Sequence, residues 1–140
     1  MNPTALRIAG ILGFLGVAAG TFGAHGLDSI LPAAVTAVTA DPALLAERYE
    51  WFDTAVRYHL LHAIAALAVT ALLPAPSRPL RIALALFVAG ILLFSGSLYA
   101  LALTGWRPLG MVTPFGGLAL MAGWLCLIPA ARATSDRRTL

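Results

Sequence analysis

Apolar residues run through this chain in four long blocks, and charge is confined to the gaps between them. No Asp, Glu, Lys or Arg occurs in 8–27, 58–77, 82–106 or 108–131. A helix needs about 20 apolar residues to cross a hydrocarbon core, and each block meets that length. The pattern predicts an all-α fold: an up-down bundle of four transmembrane helices, with spans at about 6–26, 54–73, 82–103 and 109–129 of one domain covering 1–140. The first block follows Arg7 and passes the small residues Ala18, Ala19 and Gly20, as a signal peptide would. It runs on to Leu27, longer than a secretory apolar region, and three more blocks follow, so it reads as a retained first span.

The gaps carry turn and cap signals. Asp41-Pro42 suits a helix start, with Asp as N-cap and Pro at the first helical position. A helix running on from there to residue 73 would be about 48 Å long at 1.5 Å per residue, more than a bilayer. Its first turns are expected to project or bend along the interface, with Trp51 and Phe52 among the headgroups. The outer loop between the first two spans is thus partly helical, while 30–40 shows no clear element. Pro74-Ala75-Pro76 turns the chain back towards Arg78 and Arg81, and Thr104 to Pro108 make a short turn.

Composition adds little to the class. Hydrophobic residues are 60% and charged ones 11% of the chain, against about 25% charged in a soluble domain. The mean hydropathy is +0.88. Charge adds orientation. All 9 basic residues are arginine; Arg7, Arg78, Arg81, Arg132, Arg137 and Arg138 share one side of a four-span chain, and short arginine-rich segments stay cytoplasmic. Both termini are therefore expected inside, in a bacterial cytoplasmic (inner) membrane. The sequence pI of 9.8 follows from these flanking arginines, so nucleic acid is not an expected partner. The partners expected are the lipid bilayer, other membrane subunits, or a second copy.

Small residues mark where helices touch. Gly13, Gly16, Gly20 and Gly23 in the first span, with Gly116 and Gly117 in the fourth, are read as packing positions, because missing side chains let backbones approach in lipid. Gly16 and Gly20 form a GxxxG pair. Packing within the bundle and dimerisation are both open, with packing preferred.

Folding the spans up and down gathers most polar residues at one end. His25, Tyr58, His62, Ser95, Ser97, Tyr99 and Thr113 all fall in the outer half, and Asp53 and Arg57, spaced i,i+4, should pair at the outer mouth. Polar side chains in hydrocarbon are costly without partners. The seven could form a hydrogen-bond lattice fixing helix register, or line a small outward pocket in which His62 titrates or binds a ligand. His62 should face the interior and bond a hydroxyl or carbonyl of another span, or water. His59 is placed on the other side of the helix from His62, so no metal site and no cofactor is expected. Cys126, the single cysteine, reads as an inert thiol. GxSxG, HExxH, P-loop and GxGxxG motifs are absent, and Ser95 has no base beside it.

Several of these segments together resemble a known family. Gly23-Ala24-His25-Gly26-Leu27, Tyr58-His59-Leu60-Leu61-His62-Ala63, Leu93-Phe94-Ser95-Gly96-Ser97-Leu98-Tyr99 and Thr113-Pro114-Phe115-Gly116-Gly117 with Gly123-Trp124 look like the bacterial YgdD/YwdK group. These are small inner-membrane proteins of unknown function with eukaryotic mitochondrial relatives. The outer loop before Trp51 is longer than usual, and His59 stands where a neutral polar residue is expected. The resemblance implies four transmembrane helices and supplies no catalytic residue. The function expected is a non-enzymatic accessory or assembly subunit of a membrane complex. The alternative is a small-solute or proton-linked transporter or channel using the outer polar cluster.

Overall fold

The computed structural model describes residues 3–36, 41–72 and 78–135, with side chains placed in 3–33, 41–71 and 78–129. Every element among them is helical. In order they are α1 (Pro3–His25), α2 (Leu27–Thr36), α3 (Pro42–Leu72), α4 (Arg78–Gly90), a π-helical turn (Ile91–Ser95), α5 (Gly96–Thr104), a 3₁₀ turn (Arg107–Met111) and α6 (Thr113–Ser135). Among the described residues, three stretches are long and apolar enough to cross a membrane: Pro3–His25, Arg78–Thr104 and Arg107–Pro129. The chain is thus an all-α, multi-pass membrane protein. The Pro74–Pro76 turn and the Arg137/Arg138 tail lie outside the described residues.

α3 begins where its cap requires. The Ala43 N–H donates to Asp41 Oδ1 at 2.9 Å, and the helix then runs unbroken for 31 residues. Its first half carries Glu47, Arg48, Glu50, Asp53 and Arg57; its second half is free of charge. The expected outer loop condenses into α2, whose Leu27 and Leu31 are buried against Phe52 and Ala102. This corrects the expectation for Phe52, which is an interior residue. Its ring lies 5.0 Å from that of Tyr99 and 5.9 Å from that of Phe22, because α2 folds back and covers the position that would otherwise meet headgroups.

α1 rests on α3 through its glycines. A Cβ added at Gly16 would stand 2.7 Å from Leu60 Cδ2, at Gly20 3.4 Å from Val56 Cγ1, and at Gly23 2.9 Å from Phe52 Cε1. Gly13 does not join them: nothing lies within 4 Å of its added Cβ. The buried stripe runs through Ala9, Leu12 and Gly16 and leaves Gly13 to one side.

The third apolar block is not the uniform helix expected. α4 and α5 are joined through the π turn, opposite Gly116. A Cβ on Gly116 would come within 2.2 Å of the Phe94 backbone nitrogen, so two backbones touch where the helix widens. Gly117 makes only ordinary contact, 3.7 Å to the Phe94 ring. α5 ends at Gly105, the one described residue with positive φ (69°), whose N–H donates to the Leu101 carbonyl at 2.8 Å. α6 starts at Thr113 rather than near 109, because Arg107–Met111 first make a 3₁₀ turn. The main core joins Ala9 and Leu12 of α1, Ala63 and Ala66 of α3, Phe87 and Ile91, and Leu120 of α6.

Candidate functional site

The seven candidate polar residues do not meet in one cluster. They separate into short pairs, each spanning two elements, with three members, His25, Tyr58 and Ser95, left apart. His62 is turned inward and only 4% exposed. Its Nδ1 lies 2.8 Å from the Tyr58 carbonyl, one turn back on α3, and the Trp124 indole N–H of α6 donates to its Nε2 at 3.1 Å. An indole nitrogen can only donate, so Nε2 is the acceptor and Nδ1 carries the proton: the ring is neutral and both nitrogens are satisfied. Rings enclose it, with Tyr58 stacked at 5.9 Å and Phe87 at 5.7 Å. The expected inward direction holds; the cross-helix partner is an indole, not a hydroxyl, carbonyl or water. Trp124 stands half-way along the 23 residues of α6, so this contact lies deeper than the outer half.

Ser97 and Thr113 form the second pair. Their hydroxyl oxygens are 2.8 Å apart, and each hydroxyl also reaches a carbonyl of its own chain segment, Ser97 to Phe94 at 3.0 Å and Thr113 to Leu109 at 3.4 Å. His59 and Tyr99 form the third, with Nδ1 and Oη at 3.4 Å. His59 is buried, which corrects its placement away from His62: three helical residues turn 300°, so the two histidines sit only about 60° apart. His59 lies against α1 at Gly16, and its Nε2 closes no hydrogen bond among the described residues.

Ser95 and His25 stand outside these pairs. Ser95 is 0% exposed, its hydroxyl ends the π turn, and Oγ makes no hydrogen bond among the described residues. His25 is exposed in the last turn of α1. Tyr58 is 43% exposed, its ring 4.5 Å from Phe94. Asp53 and Arg57 do form an ion pair, on an exposed face of α3. Among the described residues no three of His, Cys, Asp and Glu converge as metal ligands would.

Two features at the outer end were not foreseen. Arg48 is only 4% exposed, and its Nε has no hydrogen-bond partner among the described residues. Its guanidinium lies over Gly105, where an added Cβ would stand 1.9 Å from Nη2. A cation beside the last turn of α5 is favoured by the helix dipole. The other feature is a cavity of about 530 Å³ between α3, α5, the 3₁₀ turn and α6, with Glu47, Arg107 and Thr113 among apolar walls that include Trp51 and Phe94. Nearby, the Tyr49 hydroxyl donates to Asp28 Oδ1 at 2.7 Å. That bond, with burial and the carboxylate charge, pushes the Tyr49 phenol above its ordinary value of 10.0.

Comparison with known proteins agrees with this picture of a small membrane protein. Residues 19–117 match a family described as "Protein of unknown function (DUF423)". A UPF0382 membrane protein of Haemophilus influenzae is 37% identical over 127 residues, covering 91% of this chain and 92% of its own. The UPF0382 membrane protein YwdK of Bacillus subtilis is 36% identical over 127 residues, or 89% and 92% of the two chains. The UPF0382 inner membrane protein YgdD of Escherichia coli is 36% identical over 130 residues, or 90% and 87%. No solved structure matches.

Proposed function

This chain belongs to the DUF423 family of proteins of unknown function, alongside the UPF0382 membrane proteins, and from that premise we propose that it is a non-enzymatic accessory or assembly subunit of a complex in the bacterial inner membrane. The proposal takes α3 as the fourth span, with both termini cytoplasmic. Support for the span comes from the charge-free second half of α3, where Ala63, Ala65, Ala66 and Val69 are buried. Support for the orientation comes from Arg7, Arg78 and Arg81 at one end. Escherichia coli YgdD is called an inner membrane protein, which favours the same compartment here.

The observation that carries the accessory reading is that three interior polar contacts tie one helix to another. His62 with Trp124, Ser97 with Thr113, and His59 with Tyr99 each make one hydrogen bond to another element, while His59 Nε2 and Ser95 Oγ make none among the described residues. Contacts of this kind fix helix register, the role of a packing lattice. Meanwhile α1 packs mainly on α3 and leaves Ile11, Phe14 and Val17 58%, 72% and 60% exposed, a face open to lipid or to a neighbouring subunit. The test is photo-crosslinking in living membranes from a photoreactive residue at Ile11 or Phe14. The reading expects one discrete adduct to a different membrane protein, lost when that partner's gene is deleted. Adducts to lipid or to itself alone would overturn it.

The transporter reading has one observation in its favour, the outer cavity with Glu47, Arg107 and Thr113 on its wall. It requires solute uptake by proteoliposomes that Glu47→Gln or Thr113→Val reduces several-fold.

A further inference from the structure

A second cavity, at the other end of the molecule, separates α1 from α4. It measures about 460 Å³, and five of its ten lining residues are alanine: Ala5, Ala9, Ala66, Ala85 and Ala89. Short side chains on all three surrounding helices keep it open. The remaining lining is aliphatic, with one exception: Arg81 stands in its wall. From Arg81 to Leu92, the two ends of the lining on the α4 side, is 11 residues, or about 16 Å at 1.5 Å per residue. A hydrocarbon core is about 30 Å thick, so the groove is as deep as one leaflet. A helix about 10 Å wide would need roughly 1,300 Å³ over the same 16 Å, far more than the cavity holds. The space suits a single flexible hydrocarbon chain.

The charge around the Arg81 end says what that chain should be attached to. Arg7 and Arg78 are exposed in the first two turns of α1 and α4, the ends at which Ala5 and Arg81 line the cavity. All carboxylates among the described residues, Asp28, Asp41, Glu47, Glu50 and Asp53, lie towards the opposite end. None of the described carboxylates therefore lies at the end of these three guanidiniums, and guanidinium forms strong charge-assisted bonds to phosphate. Basic pockets between membrane helices suit anionic headgroups for this reason.

We propose that the groove between α1 and α4 is a binding site for an anionic phospholipid, one acyl chain lying among the alanines and the phosphate held at Arg81. Arg81, in the wall of the groove, supplies the positive charge that favours a net-negative headgroup over a zwitterionic one. The lipid would fill the gap that α1 leaves against α4 and so join the α1–α3 pair to the α4–α6 pair.

Native mass spectrometry of the full chain in detergent tests it, with dioleoyl-phosphatidylglycerol and dioleoyl-phosphatidylcholine as probes at equal concentration. The expected result is about fivefold more phosphatidylglycerol adduct, the discrimination one surface arginine confers. Arg81→Gln should bring that ratio close to one. Ala89→Leu, which fills the groove, should lower both adducts while the protein stays folded. Because Arg81 is exposed, its variant folds even if the alanine variant does not, so the headgroup arm decides by itself. Equal retention of the two lipids by the wild type, an unchanged ratio in Arg81→Gln, or displacement of phosphatidylglycerol by a neutral isoprenoid quinone overturns the proposal.

Discussion

An imidazole in hydrocarbon has two nitrogens to satisfy, and His62 uses a carbonyl of its own helix for one and an indole of another helix for the other. Trp124→Phe keeps the ring packing against Phe87 but leaves Nε2 unpaired. The loss should be about 1 kcal/mol of unfolding free energy in mixed micelles, and nitrogen NMR of the wild type should show the proton on Nδ1. Unchanged stability would mean the indole contact is incidental. That His62 faces inward was readable from the cost of the alternative. Trp124 as its partner was not, because no spacing within one helix tells which residue of another lies opposite. Arg48 was hidden for the same reason: its charge suggests solvent, and only the fold brings it over Gly105. Gly105→Ala should cost about 1 kcal/mol or more, since it meets both a positive φ and the guanidinium; thermal melting in detergent checks it. Tyr49 gives the pH dependence of the outer end. A phenol whose folded pKa is raised contributes stability fully below its unfolded value of 10.0, lost as pH rises through the folded one. An alkaline absorbance titration should lose one late-titrating phenol in Tyr49→Phe, and a difference centred at or below pH 10 would contradict the Asp28 bond.

At the scale of elements, local chemistry was legible and tertiary approach was not. Asp41-Pro42 announced the start of α3 and the turn from Thr104 to Pro108 the end of α5, because caps and turns are written in neighbouring residues. The π turn at Ile91–Ser95 has no such signature in its own composition. It coincides with the place where Gly116 brings a second backbone against Phe94, a property of two helices together. π turns within helices collect at functional sites, and this one ends at the buried, unpartnered hydroxyl of Ser95. The glycines can then be sorted by their surroundings. Gly116→Ala should destabilise strongly, because its neighbour is backbone and cannot yield. Gly13→Ala, with open space around it, should be neutral or stabilise by about 0.5–1 kcal/mol through helix propensity. Melting temperatures in one detergent compare the two, and equal losses would show that α1 meets something at Gly13 in the membrane.

Taken whole, the molecule is two helix pairs meeting along one line. α1 lies on α3, α6 lies on α4 with its π turn, and the pairs join where α3 touches the π turn, α5 and α6, with His59–Tyr99 and His62–Trp124 among the contacts. Hydropathy alone divides the chain into membrane blocks, and that division survives in α1, α4–α5 and α6. It is least decisive for α3, whose charged first half dilutes an apolar second half. The account rests on α3 crossing the bilayer, since only then do the arginines at Arg7 and Arg78 share a side and the polar pairs lie within the membrane. Cys126 is the single cysteine, so a Cys126→Ala background allows one thiol to be placed at a time and labelled in intact cells with a membrane-impermeant maleimide. Glu47→Cys and Trp106→Cys should label from outside, whereas Arg7→Cys and Arg78→Cys should label only after permeabilisation. Labelling of Glu47→Cys and Arg78→Cys from the same side would show that α3 does not cross, and would contradict the four-span account.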